Sequence, residues 1–178
     1  GINEIKICAC GTSYHAGLAS SYLFERLSKI KCSIEVASEF RYKEPLLTKD
    51  TLFVVISQSG ETADTLEALK MAKGKYIAVC EGDDYWIDPE KLQAQVDFME
   101  HNADVALCYT RTRYWHEENK CFLYDWGGPH TSFKDLLSEN TVPTLSVLYR
   151  IDHMFRYYED IVPQCQPWLM GDYPMWIW

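Results

Sequence analysis

The sequence predicts an α/β protein with a mostly parallel, three-layer sheet, and three observations lead there. A short apolar run, Ile5 to Ala9, stops at Cys10-Gly11-Thr12-Ser13 and gives way to a helical pattern. A second run, Thr51 to Ile56, is apolar without alternation, the pattern of strands covered on both faces. Strand, hydroxyl-rich turn and helix then recur in the same order, which makes a second βαβ unit.

The first strand, Ile5 to Ala9, is followed by a helix over 16–27 whose small residues suit close packing. Ser33 to Ala37 reads as a second strand and Thr51 to Ile56 as a third. Ser57-Gln58-Ser59-Gly60-Glu61-Thr62 opens a helix with Ala63, Leu66, Leu69 and Ala72 on one stripe, and Lys75 to Cys80 is the next strand, continuing the parallel sheet. Asp88-Pro89-Glu90 is a good helix start, with Leu92, Val96 and Met99 as the buried stripe. Val105 to Thr110 is a further strand. After residue 110 the sequence turns aromatic and loop-rich, with Gly127-Gly128-Pro129, a short helix over 133–137 and a strand over 145–149.

Composition bounds the function. Of 178 residues 47% are hydrophobic and 24% charged, ordinary for a globular protein and against disorder. Seventeen basic against 26 acidic side chains give a net charge of -9, which repels a phosphate backbone, so nucleic acid is not an expected partner. No membrane span and no signal segment are visible, and a cytoplasmic location is expected. Seven cysteines without a Cys-x-x-Cys pair fit free thiols in a reducing compartment, and Cys8 and Cys10 read as core residues rather than a zinc site.

Two hydroxyl-rich turns sit at carboxyl ends of predicted strands, the side of an open parallel sheet where ligands bind. Thr12 and Ser13 belong to one, Ser57, Gln58, Ser59 and Thr62 to the other. A helix N-terminus offers free N–H groups and a positive dipole to a phosphate, although the same residue types are also ordinary helix caps. A third turn, Glu81-Gly82-Asp83-Asp84, gathers carboxylates that suit Mg2+ or Mn2+, or are acidic surface turns of an acidic protein.

Three stretches, Ala9 to His15, Glu35 to Tyr42 and Ser57 to Thr65, resemble the glutamine–fructose-6-phosphate aminotransferase family, in the first part of its sugar isomerase (SIS) domain. The resemblance covers residues 1–73 and implies that Thr12, Ser13, Ser57, Gln58, Ser59 and Thr62 surround the phosphate of a hexose 6-phosphate. The family's glutaminase domain and catalytic glutamate, histidine and lysine have no counterparts, so isomerase or aminotransferase turnover is not expected. Lys73 to Ala78, Glu81 to Trp86, Asp88 to Leu92 and Met170 to Pro174 resemble an inverting family 2 glycosyltransferase of the GT-A fold. That resemblance implies a metal at Glu81, Asp83 and Asp84, a nucleotide-sugar donor, and Asp172 as general base, although the family's N-terminal nucleotide-binding segment has no counterpart. Of the six tryptophans Trp168, near Asp172, is the candidate for stacking on a sugar ring, while aromatic residues mostly fill cores.

Together the two resemblances imply a carbohydrate-related chimera, an SIS- or Rossmann-like front over 1–73 continued by a GT-A-like back over 74–178 as one compact fused domain. Its expected role is sugar-phosphate binding with little turnover. The alternatives are a metal-dependent glycosyltransferase and a structural or engineered chimera with vestigial sites. The apolar end Met175-Trp176-Ile177-Trp178 suggests a homodimer contact.

Overall fold

The computed structural model describes residues 2–40, 42–43, 46–56, 63–72, 74–80, 84–128, 130 and 132–161. The chain divides into two compact units, Gly1–Gly74 and Lys75–Trp178.

In the first unit, strands β1 (Glu4–Ala9), β2 (Lys31–Val36) and β3 (Thr51–Ile56) form a parallel sheet in the order β2-β1-β3. The register pairs Ala9 with both Val36 and Ile56, so the three carboxyl ends finish level. Helix α1 (Gly11–Ser28) covers one face. The other face holds a cluster of Cys8, Ala37, Phe40 and Ala68 against Leu47, Phe53, Val55 and Met71. Phe40 belongs to the short helix α2 (Ala37–Phe40), and Ala68 and Met71 to α3 (Ala63–Ala72). Three layers therefore build this unit, as the unbroken apolar pattern of β3 predicts.

Gly17 sets the distance between α1 and the sheet. A Cβ there would meet Ile34 Cδ1 at 2.7 Å and Ile56 Cδ1 and Ile7 Cγ2 at 3.2 Å, one side chain from each strand. Glycine thus lets the helix backbone rest directly on the isoleucine layer. The helix also starts five residues earlier than its apolar pattern predicts. Gly11, at φ +57°, turns the chain straight out of β1 into the helix, a conformation glycine adopts without a Cβ penalty.

The second unit corrects the expectation of one continued parallel sheet. Strand β4 (Tyr76–Ala78) does not extend the front sheet; it pairs antiparallel with β8 (Leu148–Arg150), whose other edge takes β5 (Leu107–Cys108), also antiparallel. A short apolar run is compatible with either strand direction, and here its partner comes from far along the chain. The ladder extends through Val79 N–H donating to Val147 O and Ile151 N–H donating to Lys75 O. Val147, Leu148, Tyr149 and Ile151 are buried, with Met99, Met154 and Tyr157.

Helix α4 (Lys91–His101) begins three residues after Asp88, whose Oδ1 accepts the Glu90 N–H at 2.9 Å. Its buried face is rotated from the predicted one. Lys91, Gln95 and Met99 point inward, while Leu92 and Val96 are half-buried. Arg150 secures the other end of α4, donating to the carbonyls of Met99 (2.7 Å), Asn102 (3.1 Å) and Val105 (2.9 Å). The segment read as loop after residue 110 contains a hairpin, β6 (Thr112–His116) and β7 (Cys121–Trp126). Helix α5 (Phe133–Ser138) follows, capped by Ser132 Oγ accepting the Asp135 N–H. A 3-10 turn over Thr144–Ser146 precedes β8, and helix α6 (Ile151–Arg156) continues into a π-turn over Tyr157–Ile161.

Candidate functional site

The order β2-β1-β3 places a topological switch point between β1 and β3, because the chain leaves β1 toward one neighbour and returns to the other. Ligands in open α/β sheets bind in the crevice at such a point, outside the carboxyl ends of the strands. The chain leaves β1 there through Cys10 into the start of α1, which carries Thr12 and Ser13 of the first hydroxyl-rich turn; the second turn, 57–62, follows β3 in sequence and lies outside the described residues.

At the first loop the structure gives a specific geometry. Cys10 holds the N-cap position of α1 in extended conformation, but its side chain accepts no capping hydrogen bond, and the first turn contains no acidic residue. The first N–H groups of α1 are thus left without an internal partner, with the positive end of the helix dipole behind them. Thr12 is exposed and Ser13 half-buried, and neither hydroxyl takes part in a side-chain hydrogen bond among the described residues. Tyr14 and His15 follow in an edge-to-face pair with ring centroids 5.7 Å apart.

The electrostatic surroundings are simple. Glu35, level with Cys8 in the sheet, is occupied by Lys43, whose Nζ lies 2.6 Å from Glu35 Oε2. Burial, with smaller contributions from Cys10 and Glu35, pushes the Cys8 thiol up to about 12, so Cys8 is a core thiol. Cys10 is exposed beside it.

Other predicted site residues are placed less fully. Ser57, Gln58, Ser59 and Thr62 lie outside the described residues, as do Glu81, Asp83, Asp172, Trp168 and the apolar segment 175–178. Asp84 is described and exposed. Among the described residues no group of three or more His, Cys, Asp or Glu side chains is arranged to hold a metal ion. No described helix is long and apolar enough to cross a membrane.

The profile of the SIS domain family matches residues 2–111, more than half of the chain. The chain belongs to the SIS domain family. Among its relatives, glutamine–fructose-6-phosphate aminotransferase (isomerizing) of Campylobacter jejuni is 64% identical over 85 residues, covering 46% of this chain and 14% of that protein. The enzyme of the same name from Clostridium tetani is 62% identical over 132 residues, covering 66% of this chain and 21% of that protein. Among solved structures, the C-terminal domain of glucosamine-fructose-6-phosphate aminotransferase from Francisella tularensis is 53% identical over 40% of this chain and 20% of its own, with a TM-score of 0.39. The SIS chain therefore spans about a fifth or less of these curated relatives (14% and 21%).

These matches overturn the chimera and glycosyltransferase readings. The SIS match spans the assumed junction at residue 73 and takes in Lys73 to Ala78, Glu81 to Trp86 and Asp88 to Leu92, three of the four motifs on which the GT-A resemblance rested; the fourth, Met170 to Pro174, lies beyond it. The alignment to the Clostridium tetani enzyme reaches well past a 73-residue front. A strand ending in an acidic turn and followed by a capped helix is common in α/β proteins, so those motifs carried little discrimination. With the glycosyltransferase go the nucleotide-sugar donor and the alternative of an engineered chimera with vestigial sites.

Proposed function

We propose that the first unit of this SIS chain binds a phosphorylated sugar, with fructose 6-phosphate as its ligand, in the crevice between the carboxyl ends of β1 and β3. The observation that carries this reading is the open start of α1. There an uncapped, acid-free helix N-terminus coincides with the switch point of the sheet and with the uncommitted hydroxyls of Thr12 and Ser13. A phosphate monoester dianion matches such a site, since backbone N–H groups, hydroxyl donors and the helix dipole all favour negative charge and the arrangement needs no cation. The names of the relatives, all enzymes of fructose 6-phosphate, point to the same ligand.

In this reading Thr12 and Ser13 hold the phosphate from the β1 side, and Ser57, Gln58, Ser59 and Thr62 from the β3 side. Strands β1 and β3 end level, with Ala9 paired to Ile56. Calorimetric titration with fructose 6-phosphate tests it. Saturable binding is expected, weakened about tenfold or more by Ser13→Ala or Ser59→Ala, since a hydrogen bond to a charged group contributes roughly 1.5–3 kcal/mol. Absence of heat at millimolar ligand, or binding of unphosphorylated fructose with equal affinity, would overturn it.

A further inference from the structure

The second unit holds a groove of about 1440 Å³ that the phosphosugar reading does not use. It exceeds the roughly 300–1,000 Å³ of a small-molecule pocket, so a ligand would occupy only part of it. Trp86, Lys91, Gln95, Tyr109, Trp126 and Asn140 are among the residues that line it.

Lys91 is the unusual member. It is only 9% exposed, although the first residue of a helix ordinarily leaves a lysine in water. Its Nζ donates to Gln95 Oε1 at 2.7 Å and lies 4.6 Å from the centre of the Trp86 ring. Trp86 is itself fixed, its Nε1 donating to Leu145 O at 2.8 Å. An ammonium has three N–H donors. Gln95 takes one and the Trp86 face attracts the charge, but no carboxylate of the described residues pairs with it.

The acids along the groove do not fill that role. Asp125 is committed to Arg113 at 2.8 Å, Glu117 pairs with Lys120, and Asp88 caps the turn before α4. All of these, with Asp84, are exposed. A buried charge without a counter-charge is costly, and burial accordingly pushes the Lys91 amine below its ordinary value. A second unmet group lies in the same lining, since Asn140 Oδ1 is buried and has no donor.

From this geometry we infer that the groove is a binding site for a small ring-bearing organic anion. Its carboxylate or phosphate completes the shell of Lys91, and its ring lies on the aromatic lining beside Trp86. A hydroxyl on that ring would supply the donor that Asn140 Oδ1 lacks. The aromatic lining supplies stacking and desolvation, and Lys91 fixes the sign of charge accepted.

The test uses the full chain and two probes that share a ring and differ in charge, 4-hydroxyphenylacetate and tyramine, titrated calorimetrically. The anion is expected to bind saturably, tyramine at least tenfold more weakly, and Lys91→Met to remove the preference for the anion. Lys91→Met should also leave the thermal midpoint unchanged or higher, because it deletes a poorly compensated buried charge. Lys91→Gln, which keeps polarity without charge, should lose the anion equally, and it serves if the methionine variant misfolds. Equal binding of both probes, unchanged anion binding in both variants, or no saturable binding of the anion would overturn the inference.

Discussion

Replacing Gly17 by alanine adds one methyl group at the point where α1 lies closest to the sheet. Two effects oppose each other. Alanine favours a helix interior over glycine by about 1 kcal/mol. Against that, the new Cβ would lie 2.7 Å from Ile34 Cδ1 and 3.2 Å from two further isoleucine methyls. Ile34 Cδ1 is a side-chain end and can move, but Ile7 Cγ2 is a branch methyl and moves only if the β-branched side chain changes rotamer or the helix lifts. Overpacking of this kind costs roughly 1–3 kcal/mol, so after the propensity gain the net expectation is a loss of about 1 kcal/mol, within a range of about 0–2. In urea unfolding with a slope near 1–2 kcal/mol/M this lowers the midpoint by up to about 1 M. Ile34→Val removes the atom at 2.7 Å, so Gly17→Ala should be markedly less harmful in that background, although Ile34→Val alone costs about 1 kcal/mol. A Gly17→Ala variant that is neutral or more stable, with no coupling to Ile34→Val, would refute the close contact between helix and sheet.

Further outcomes follow from the same structure. At pH 8 Cys10 should react readily with a thiol reagent in the native protein, while Cys8, buried with its thiol pushed up to about 12, should react only on unfolding; mass spectrometry of labelled peptides distinguishes them. Because the folded pKa of Cys8 is raised, its contribution to stability is complete below the unfolded value near 9 and is lost as pH climbs from there toward 12. The decline is at most about 1.4 kcal/mol per pH unit from this group, and Cys8→Ala should flatten that part of a stability–pH curve. Arg150→Met leaves three carbonyls at the end of α4 without their charged donor and should cost about 2–3 kcal/mol in chemical denaturation. Arg150→Lys should recover only part of that loss, because an ammonium cannot reproduce the planar fork.

What was legible in the sequence was whatever a run of apolar residues fixes by itself. Strand β3 occupies Thr51–Ile56 as its pattern predicts, and β1 gains only Glu4. Strand direction was not legible, since hydropathy carries no information about which distant segment pairs with β4. The rotation of α4 was hidden because Lys91 and Gln95 read as solvent residues, and only the ring of Trp86 and the carbonyl of Ser146, which accepts from Gln95 Nε2 at 2.9 Å, explain their burial. Hairpin β6–β7 was missed because every residue of β7 is exposed, leaving no inside–outside alternation to detect. In the candidate site, the chemistry of Thr12 and Ser13 was visible as a hydroxyl-rich turn. That the turn is the helix start itself depends on the positive φ of Gly11, which the sequence suggests only by the presence of glycine. The glycosyltransferase reading erred for a related reason: acidic turns and capped helices recur across α/β proteins, so local likeness over a few residues does not identify a family, and the SIS match extends to residue 111.

The most direct test of the account is a crystal structure of the chain with fructose 6-phosphate bound. The account predicts the phosphate at the start of α1, its oxygens about 3 Å from the amides and hydroxyls of Thr12 and Ser13 and facing the 57–62 loop. A sugar phosphate ordered elsewhere, in the groove beside Lys91 or on the opposite edge of the β2-β1-β3 sheet, with the start of α1 empty, would contradict it.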